Sequence, residues 1–547
     1  MVVSKALEAQ PSRSGFADLA LLALCILVVL NFGIMGWGGA FWGNLRPLSI
    51  SLGVILPSAA MIAIYALMPG KAHLPQPRAA RLILAISIIA LCLFVALVTF
   101  RGFQNSPDEY AYLFEARTFL LGKLWNAPPP LGQAFANDYS WVAQGKWVGQ
   151  YPPGWPAFLA LFEAVHAFRM ANAVLVALTA IGVGLLVRTR ASRDVAWSAA
   201  LLFGLSPYTL FQGGSTFSHP MAAALIVAVM LAVHQAMKAD ARRSVARWLL
   251  VGGLVGILGV TRSITALIAA VAVFAIVAPK PGRLTRLWWV GVGGVPFVLL
   301  LLWYQGQITG DPLKPVYWIS GRNVDHLYFD YASIKSGLRL TLAGLVELSL
   351  WISPVFLAMW GVAMLVLLRA RRLSPMDFIF PAGMFIFVFY PLHPGMRYGP
   401  RYYFDVWPMA VVTIGMAIAV LQQKRAAIFS RAIVASIVYG LATFVALNFE
   451  YRRPMQDRMD VYHVAEAAGL RDAIICLDTP SGWMFPLAEK EFARNGFDAN
   501  GPVLYIRCSL VTQPEIQRAF PDRDIWAYAI AKGDLHGRLR LVASRAP

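Results

Sequence analysis

The residues with the clearest potential for chemistry lie in residues 101–156, a polar stretch between two long apolar segments. Asp108 and Glu109 are adjacent acids there, Tyr112 follows them closely, and Tyr151 opens a Tyr-Pro-Pro-Gly turn. A carboxylate such as Asp108 could accept the proton of an attacking hydroxyl group. An Asp with an ordinary pKa of about 3.9 is a weak base, so its proton transfer would be late and would depend on positioning. The stretch therefore predicts a reaction site with Asp108 as its catalytic residue.

The same acids have a structural interpretation. Ser106, Pro107 and Glu109 match the start of a helix, with Ser as N-cap, Pro at the first helical position and Glu three residues after the cap. Acids in the first turn are also favoured by the helix dipole. This interpretation explains Glu109 better than Asp108. We expect the helix to run to about Gly122 and to lie along the membrane surface as a short amphipathic element.

A second group of polar residues lies in residues 393–403, HPGMRYGPRYY. The guanidinium groups of Arg397 and Arg401 are suited to bidentate phosphate binding, and cations that face a departing phosphate stabilise its charge. Three phenol groups of this turn could stack on a sugar or anchor the chain at the membrane interface, namely Tyr398, Tyr402 and Tyr403. The alternative is an aromatic belt with surface arginines.

Arg262 lies in an apolar region, about 15 residues after Arg247. At about 1.5 Å per residue this helix spans roughly 22 Å, which is shorter than a hydrocarbon core of about 30 Å. Arg262 should therefore be recessed in the outer leaflet, where an unpaired charge is costly. A lipid phosphate would satisfy this charge. Alternatively, Arg262 reaches the surface or pairs with an acid such as Asp311.

A divalent metal is a further candidate ligand. His219 and His393 both lie at predicted outer ends of spans and could join Asp108 or Glu109 around a metal ion. Their spacing matches no known ligand set, so the sequence establishes no cofactor.

The composition indicates an α-helical polytopic membrane protein. Of 547 residues, 58% are hydrophobic and 14% are charged. The net charge of +19 is spread over short alternating loops, which is the positive-inside pattern and does not indicate a nucleic-acid-binding domain. Hydrophobic runs predict about 13 transmembrane helices in residues 1–449, with the amino terminus inside. They lie at 17–36, 48–68, 82–100, 170–187, 195–212, 219–237, 248–260, 263–278, 288–304, 351–368, 376–392, 402–421 and 432–449.

The loops and the tail complete this organisation. Residues 101–156 and 305–345 form two outer loops, and residues 450–547 change to short apolar runs among charges. Four of these runs read as strands, so we expect a small extracytoplasmic α/β domain. Cys476 and Cys508 each lie at or just past the end of a predicted strand. Whether they form a disulfide depends on a strand order that the sequence leaves open.

The outer loop resembles a known family. SPDEYAYLFEARTFLLGKLW followed by GKWVGQYPPGWPAFLALF is similar to the first outer loop of the GT-C superfamily of lipid-dependent membrane glycosyltransferases. The likeness is greatest to the protein O-mannosyltransferase and lipid A aminoarabinose transferase group, which includes glycosyltransferase family 39. The resemblance implies a GT-C-like bundle, Asp108 as general base, and Glu109 in substrate or helix positioning. It also implies a sugar carried on a polyprenyl phosphate.

The expected function combines these observations. The chain would be a hexosyl- or pentosyltransferase of the inner (plasma) membrane that moves a sugar from a polyprenyl-phosphate donor to a cell-envelope glycan, lipid or protein. Transfer would occur on the extracytoplasmic side with inversion, and Arg262, Arg397 and Arg401 would hold the lipid phosphate. The alternatives are a lipid or solute transporter and a non-catalytic binder of lipid-linked sugars. A transporter predicts charges in the middle of the bundle and paired broken helices in two repeated halves, which the sequence does not show.

Overall fold

The computed structural model describes residues 48–68, 79–135, 139–238, 241–320, 327–390, 397–477, 495–496, 500–529 and 537–545. The first predicted span, 17–36, and the metal candidate His393 lie outside these residues. The described chain is mainly helical and contains two small β-sheets.

Apolar helices form the body of the molecule. Those before the second outer loop are α1 (Leu48–Leu67), α2 (Ala80–Phe94), α5 (Met170–Arg188), α6 (Arg193–Gly204), α7 (Pro207–Gly214), α8 (His219–Met237), α9 (Ala241–Gly259), α10 (Ser263–Val277) and α11 (Arg283–Thr309). Those after it are α12 (Tyr331–Trp351), α13 (Phe356–Arg369), α14 (Ile379–Val388), α15 (Trp407–Ile418) and α16 (Gln423–Ala467). Within the described residues, five helices are long and apolar enough to cross a membrane, or six if the bent pair α12 and α13 is one span. This architecture agrees with the predicted helical membrane protein.

Two predicted segments differ from the structure. Residues 195–212 are two helices and not one span, because Ser206 caps α7 through its Oγ, which accepts a hydrogen bond from Thr209 N at 3.2 Å, and Pro207 begins that helix. The second outer loop is shorter than residues 305–345. Helix α11 extends to Thr309, and Asp330 caps α12 by accepting a hydrogen bond from Ser333 N at 3.0 Å. Helix α12 then bends by 102° into α13.

The first outer loop begins with helix α3 (Pro107–Leu120), which starts as predicted. Ser106 Oγ accepts a hydrogen bond from Glu109 N, and Pro107 is the first helical residue. The expectation of an amphipathic surface helix is wrong. Most side chains from Glu109 to Thr118 are buried, because helix α4 (Gly154–Glu163) and the tail both pack against α3.

A hairpin connects α3 to α4. Strands β1 (Ser140–Ala143) and β2 (Lys146–Gly149) pair antiparallel, as expected for two short apolar runs on either side of a Gln-Gly turn. Gln144 and Gly145 form its turn with φ angles of 52° and 70°, the backbone conformation of a two-residue hairpin loop. The hairpin delivers the Tyr-Pro-Pro-Gly turn to the N-terminus of α4.

Helix α16 joins the bundle to the tail. Its 45 residues span roughly 67 Å, about twice the thickness of a hydrocarbon core, so it continues without a break past residue 450. The tail that follows contains β3 (Ala473–Cys476), β4 (Val503–Ile506), helix α17 (Gln513–Ala519), β5 (Asp524–Ala529) and β6 (Arg538–Ala543). Their order in the sheet is β4-β3-β5-β6, and only β5 and β6 pair antiparallel.

The tail packs directly on the first outer loop. Phe135 of that loop shares a buried cluster with strands β3 to β5, and Tyr110 of α3 shares another with Tyr462 and Tyr528. Cys476 and Cys508 form a disulfide, which resolves the pairing that the sequence left open. The sheet thus covers one side of the loop that carries Asp108.

Candidate functional site

Asp108 lies in the first turn of α3 and is held by groups from three parts of the chain. Its Oδ2 accepts a hydrogen bond from Ser106 Oγ at 2.9 Å, and its Oδ1 accepts one from the Tyr151 hydroxyl at 2.7 Å. Arg401 donates to both oxygens, at 3.3 Å each. The side chains of Asp108 and Arg401 are 16% and 11% exposed, so this ion pair is largely shielded from solvent. The structure therefore joins three predicted site residues directly.

Two opposing effects set the pKa of Asp108. Burial raises the pKa, because it disfavours the charged carboxylate. The positive charge of Arg401 and the hydrogen bonds from Tyr151 and Ser106 lower it, and together they outweigh burial. The pKa of Asp108 therefore lies below its ordinary value, and the side chain is ionised at neutral pH.

The Glu109 side chain binds a different set of groups from Asp108. Its Oε2 accepts a hydrogen bond from Asn105 N, and its Oε1 accepts one from Thr216 N, both at 2.9 Å. Burial raises the pKa of Glu109, although these backbone donors oppose the effect. Glu109 thus ties the start of α3 to the segment that leads into α8.

A chain of contacts leads from Asp108 to Arg262. The Tyr151 and Tyr112 rings lie 4.2 Å apart between centroids, and the Tyr112 hydroxyl lies 3.1 Å from Ser218 Oγ. Arg262 Nη1 donates to the same Ser218 Oγ at 3.3 Å. Arg262 is the N-cap of α10, in the break between α9 and α10, which places its charge beside the outer loop.

Arg262 pairs with Asp405 and not with Asp311, the acid that the sequence suggested. Its Nε lies 2.7 Å from Asp405 Oδ2, and Thr265 Oγ1 donates to that oxygen at 2.5 Å. His219 Nδ1 lies 2.7 Å from the other oxygen, Oδ1. Asp405 is fully buried, so it must be paired to be stable there. This acid orients both Arg262 and His219.

Aromatic rings bring the two arginines to one place. The guanidinium carbons of Arg262 and Arg401 lie 5.7 Å and 5.4 Å from the centroid of the Tyr402 ring. Arg401 also lies 4.5 Å from the centroid of the Phe217 ring, a cation–π contact. Its Nε is buried and has no hydrogen-bond partner among the described residues. The two guanidinium groups thus lie around one ring, and each is paired with its own acid, Asp405 for Arg262 and Asp108 for Arg401.

The other residues of the 393–403 turn lie around this centre. Arg397 donates a hydrogen bond from Nη1 to Asn105 O, and its charge is one of the effects that lower the pKa of Asp108. Tyr398 is buried and stacks on Phe100 at 4.7 Å. Tyr403 is buried against α12, where a Cβ on Gly344 would lie 2.7 Å from its ring. Arg397 thus belongs to the site's electrostatics, whereas Tyr398 and Tyr403 pack in the core.

The second outer loop contributes an aromatic residue that the sequence analysis missed. Tyr317 lies with its ring edge-on to Tyr151 at 5.6 Å. It thus adds a third ring to the pair formed by Tyr112 and Tyr151. Lys314 of this loop lies in the preceding turn, where its backbone N donates to Asp311 O at 3.1 Å.

No group of three or more His, Cys, Asp or Glu side chains that could hold a metal ion occurs among the described residues. His219 faces a single acid, Asp405, and its proposed partner His393 is not described. The contact with Asp405 holds the His219 ring beside Tyr402, and the centroids of these two rings lie 5.5 Å apart.

Sequence reasoning missed Asp405 and Ser218. Asp405 follows Arg-Tyr-Tyr-Phe and falls inside the predicted span 402–421. An acid in a membrane segment is a functional candidate by default, so this signal was available. Ser218 carried no comparable signal, because a single Ser before a helix is most simply explained as a cap.

No family model matches the sequence, and no curated protein matches it. Among solved structures, the chain resembles ArnT from Cupriavidus metallidurans in the apo state, with a TM-score of 0.54 and 13% identity over 85% of this chain and 99% of that one. It also resembles ArnT from the same organism bound to undecaprenyl phosphate, with a TM-score of 0.52 and 14% identity over 86% and 100% of the two chains. A weaker likeness, with a TM-score of 0.46 and 12% identity, relates 76% of the chain to 63% of the Archaeoglobus fulgidus oligosaccharyltransferase AglB in complex with an inhibitory peptide and a dolichol-phosphate.

The chain aligns with nearly the whole length of both ArnT structures, and this match establishes its fold. At 13% and 14% identity, the shared feature is the arrangement of helices and loops, not the side chains of the site. The chain shares its fold with ArnT, a GT-C glycosyltransferase, which confirms the resemblance that the outer loop predicted.

Proposed function

We propose that this chain, which has the fold of lipid-dependent glycosyltransferases, transfers a sugar from a polyprenyl-phosphate carrier to a cell-envelope acceptor. The observation that carries the proposal is the contact between Asp108 and Arg401, with Arg262 reached through Tyr151, Tyr112 and Ser218. A buried carboxylate thus contacts Arg401 and is linked to Arg262 through three side chains, and the fold is shared with a protein whose structure holds undecaprenyl phosphate.

The proposed reaction is a single displacement. The acceptor hydroxyl oxygen attacks the anomeric carbon, the bond from that carbon to the phosphate oxygen breaks, and Asp108 takes the hydroxyl proton. The lipid phosphate departs with the bonding electrons, and Arg262 and Arg401 stabilise its charge. The anomeric configuration inverts, because there is one displacement. The low pKa of Asp108 makes it a weak base, so positioning contributes more than basicity.

Arg401 has two partners in this mechanism. Without substrate it pairs with Asp108, and in the donor complex it turns to the phosphate. The donor would therefore remove a positive charge from the carboxylate and raise the pKa of Asp108 when a base is needed.

The placement in the cell is also part of the proposal. We infer about 13 crossings, an inner-membrane location, and an outer loop and α/β tail (residues 450–547) on the extracytoplasmic side. The contact between the tail and the first outer loop supports one common side for both. The loops at the other ends of the helices carry positive charge, which favours a cytoplasmic position for those loops.

The decisive experiment uses purified protein in lipid nanodiscs with radiolabelled polyprenyl-phosphate-linked sugars and membrane extracts as acceptor source. Asp108→Asn should lower kcat about 10²- to 10⁴-fold, the usual contribution of a general base, with little change in donor binding. Asp330→Asn is the matched control, since Asp330 also begins a helix but is exposed outside the site. Near-normal transfer by Asp108→Asn would remove its role. Movement of the donor across the membrane of vesicles that contain the reconstituted protein, without transfer, would indicate a transporter, and donor binding without transfer or movement would indicate a binder.

A further inference from the structure

Glu115 is a buried acid that the proposed reaction does not use. It lies on α3 seven residues after Asp108, two helical turns along, so both side chains lie on the same face of the helix. Its side chain is 2% exposed. Glu115 Oε1 accepts a hydrogen bond from Tyr151 N at 3.0 Å, and Oε2 has no partner among the described residues. A buried charge with this single contact would be costly.

Tyr151 is consequently held at both ends by acids of one helix. Its backbone N–H binds Glu115, and its hydroxyl binds Asp108 at 2.7 Å. Its ring packs on Tyr112 at 4.2 Å, which restricts rotation of the phenol. The contact with Glu115 fixes the backbone of Tyr151, and the position of this backbone sets where the hydroxyl lies relative to Asp108.

Gly149 shows how closely the hairpin approaches Glu115. A Cβ at Gly149 would lie 1.9 Å from Glu115 Oε1, far below any real contact distance. Gly149 is the last residue of β2 and pairs with Ser140. Only a glycine lets the end of this strand reach the acid, which accounts for the glycine two residues before Tyr151.

We propose that Glu115 is a positioning residue, which acts on the reaction only through Tyr151 and the hydrogen bond of Tyr151 to Asp108. This inference rests on the proposed function. Burial raises the pKa of Glu115 well above the ordinary value, which favours the neutral acid over the carboxylate. An amide should therefore replace it, because Gln keeps an oxygen at the acceptor position.

A double-mutant cycle tests the route of action. Glu115→Ala should lower kcat at least about tenfold, since a misplaced group can cost up to about 10²-fold, and Glu115→Gln should restore most of the rate. In a Tyr151→Phe background, Glu115→Ala should have little further effect, because the hydroxyl contact is already gone. Gly149→Ala should behave like Glu115→Ala in both backgrounds. Equal losses in the two backgrounds would overturn the proposal.

A second measurement reports the environment of the Tyr151 ring and does not require sugar transfer. With 3-fluorotyrosine at position 151, the ¹⁹F resonance should shift in Glu115→Ala and stay near its original position in Glu115→Gln. Glu163→Ala is the matched control, since Glu163 is also a buried acid but pairs with Arg117. An unchanged resonance in Glu115→Ala overturns the positioning role. A shifted resonance in a protein that never transfers sugar would support positioning while the proposed function fails.

Discussion

Among the individual side chains, the most informative contact is the ion pair of Asp108 and Arg401. Surface ion pairs contribute little, but this pair is mostly buried and lies beside the uncharged donor Tyr151. Arg262 has a separate acid, Asp405, so the two arginines do not compete for one carboxylate. This arrangement leaves Asp108 dependent on Arg401 for its low pKa.

Replacing Arg401 should change the pH dependence of transfer. Burial raises the pKa of Asp108, and Arg401 is the largest of the effects that lower it, so Arg401→Gln should raise that pKa. The base must be ionised, so activity is lost as pH falls through the pKa, and the acidic limb of kcat/KM should move to higher pH. The donor KM should also rise.

The control for this prediction is Arg117→Gln. Arg117 lies on α3, the helix that also carries Asp108, but it pairs with Glu163, with 2.8 Å between its Nε and Glu163 Oε1. Its pH profile should match that of the parent protein. An acidic limb that stays in place or moves to lower pH in Arg401→Gln would contradict the assigned electrostatics.

Among the helices and turns, breaks in apolar segments position the site. The break between α9 and α10 makes Arg262 the N-cap of α10, and the start of α4 packs against that break. Gly154 N donates to Val260 O at 2.9 Å, and a Cβ at Gly154 would lie 2.5 Å from Thr261 Oγ1. The Tyr-Pro-Pro-Gly turn thus joins Tyr151 to the Arg262 break by backbone contact.

Gly154→Ala should separate these two elements. The added methyl group would displace the start of α4 from Val260, so we expect a lower thermal unfolding temperature and lower kcat together. The matched control is Gly361→Ala in α13, where a Cβ meets nothing within 4 Å. That change should be neutral or stabilise by about 0.5–1 kcal/mol. A fully active and equally stable Gly154→Ala protein would contradict the proposed contact.

For the molecule as a whole, the tail extends the surface that carries Asp108. Helix α16 carries the chain from the bundle into the sheet, and the sheet shares buried clusters with Phe103, Tyr110 and Phe135 of the outer loop. Arg507 N also donates to Ala134 O at 3.0 Å. The stability of the tail should therefore affect the order of the loop that holds Asp108.

Loss of the disulfide should destabilise this surface. Cys476 and Cys508 are 32 residues apart, and closing a loop of that length stabilises a fold by about 3–4 kcal/mol in the chain-entropy treatment. Cys508→Ser should make the tail more susceptible to limited proteolysis in urea and should lower transfer activity. Cys92→Ala, a buried cysteine in the bundle, should leave tail cleavage unchanged. Unchanged proteolysis of Cys508→Ser would show that the tail does not depend on the bridge.

Local patterns in the sequence predicted the elements well. The Ser-Pro start of α3, the β1–β2 hairpin and the pair of short helices around Arg262 all follow from caps, turn residues and hydrophobic run lengths. These signals act between residues a few positions apart, so a single chain displays them. The interruption at Ser206 escaped because the hydrophobic run continues across it.

The sequence by itself determined a helical membrane protein with an acidic outer loop and basic turns, because composition and short spacings specify which segments leave the membrane. Only the tertiary structure decided that Tyr151 and Arg401 hold Asp108, that Asp405 holds Arg262, and that Glu115 holds Tyr151. The first three of these partners are separated by 43, 293 and 143 residues. Contacts over such separations depend on how the helices pack, and packing follows from the shapes of many side chains together.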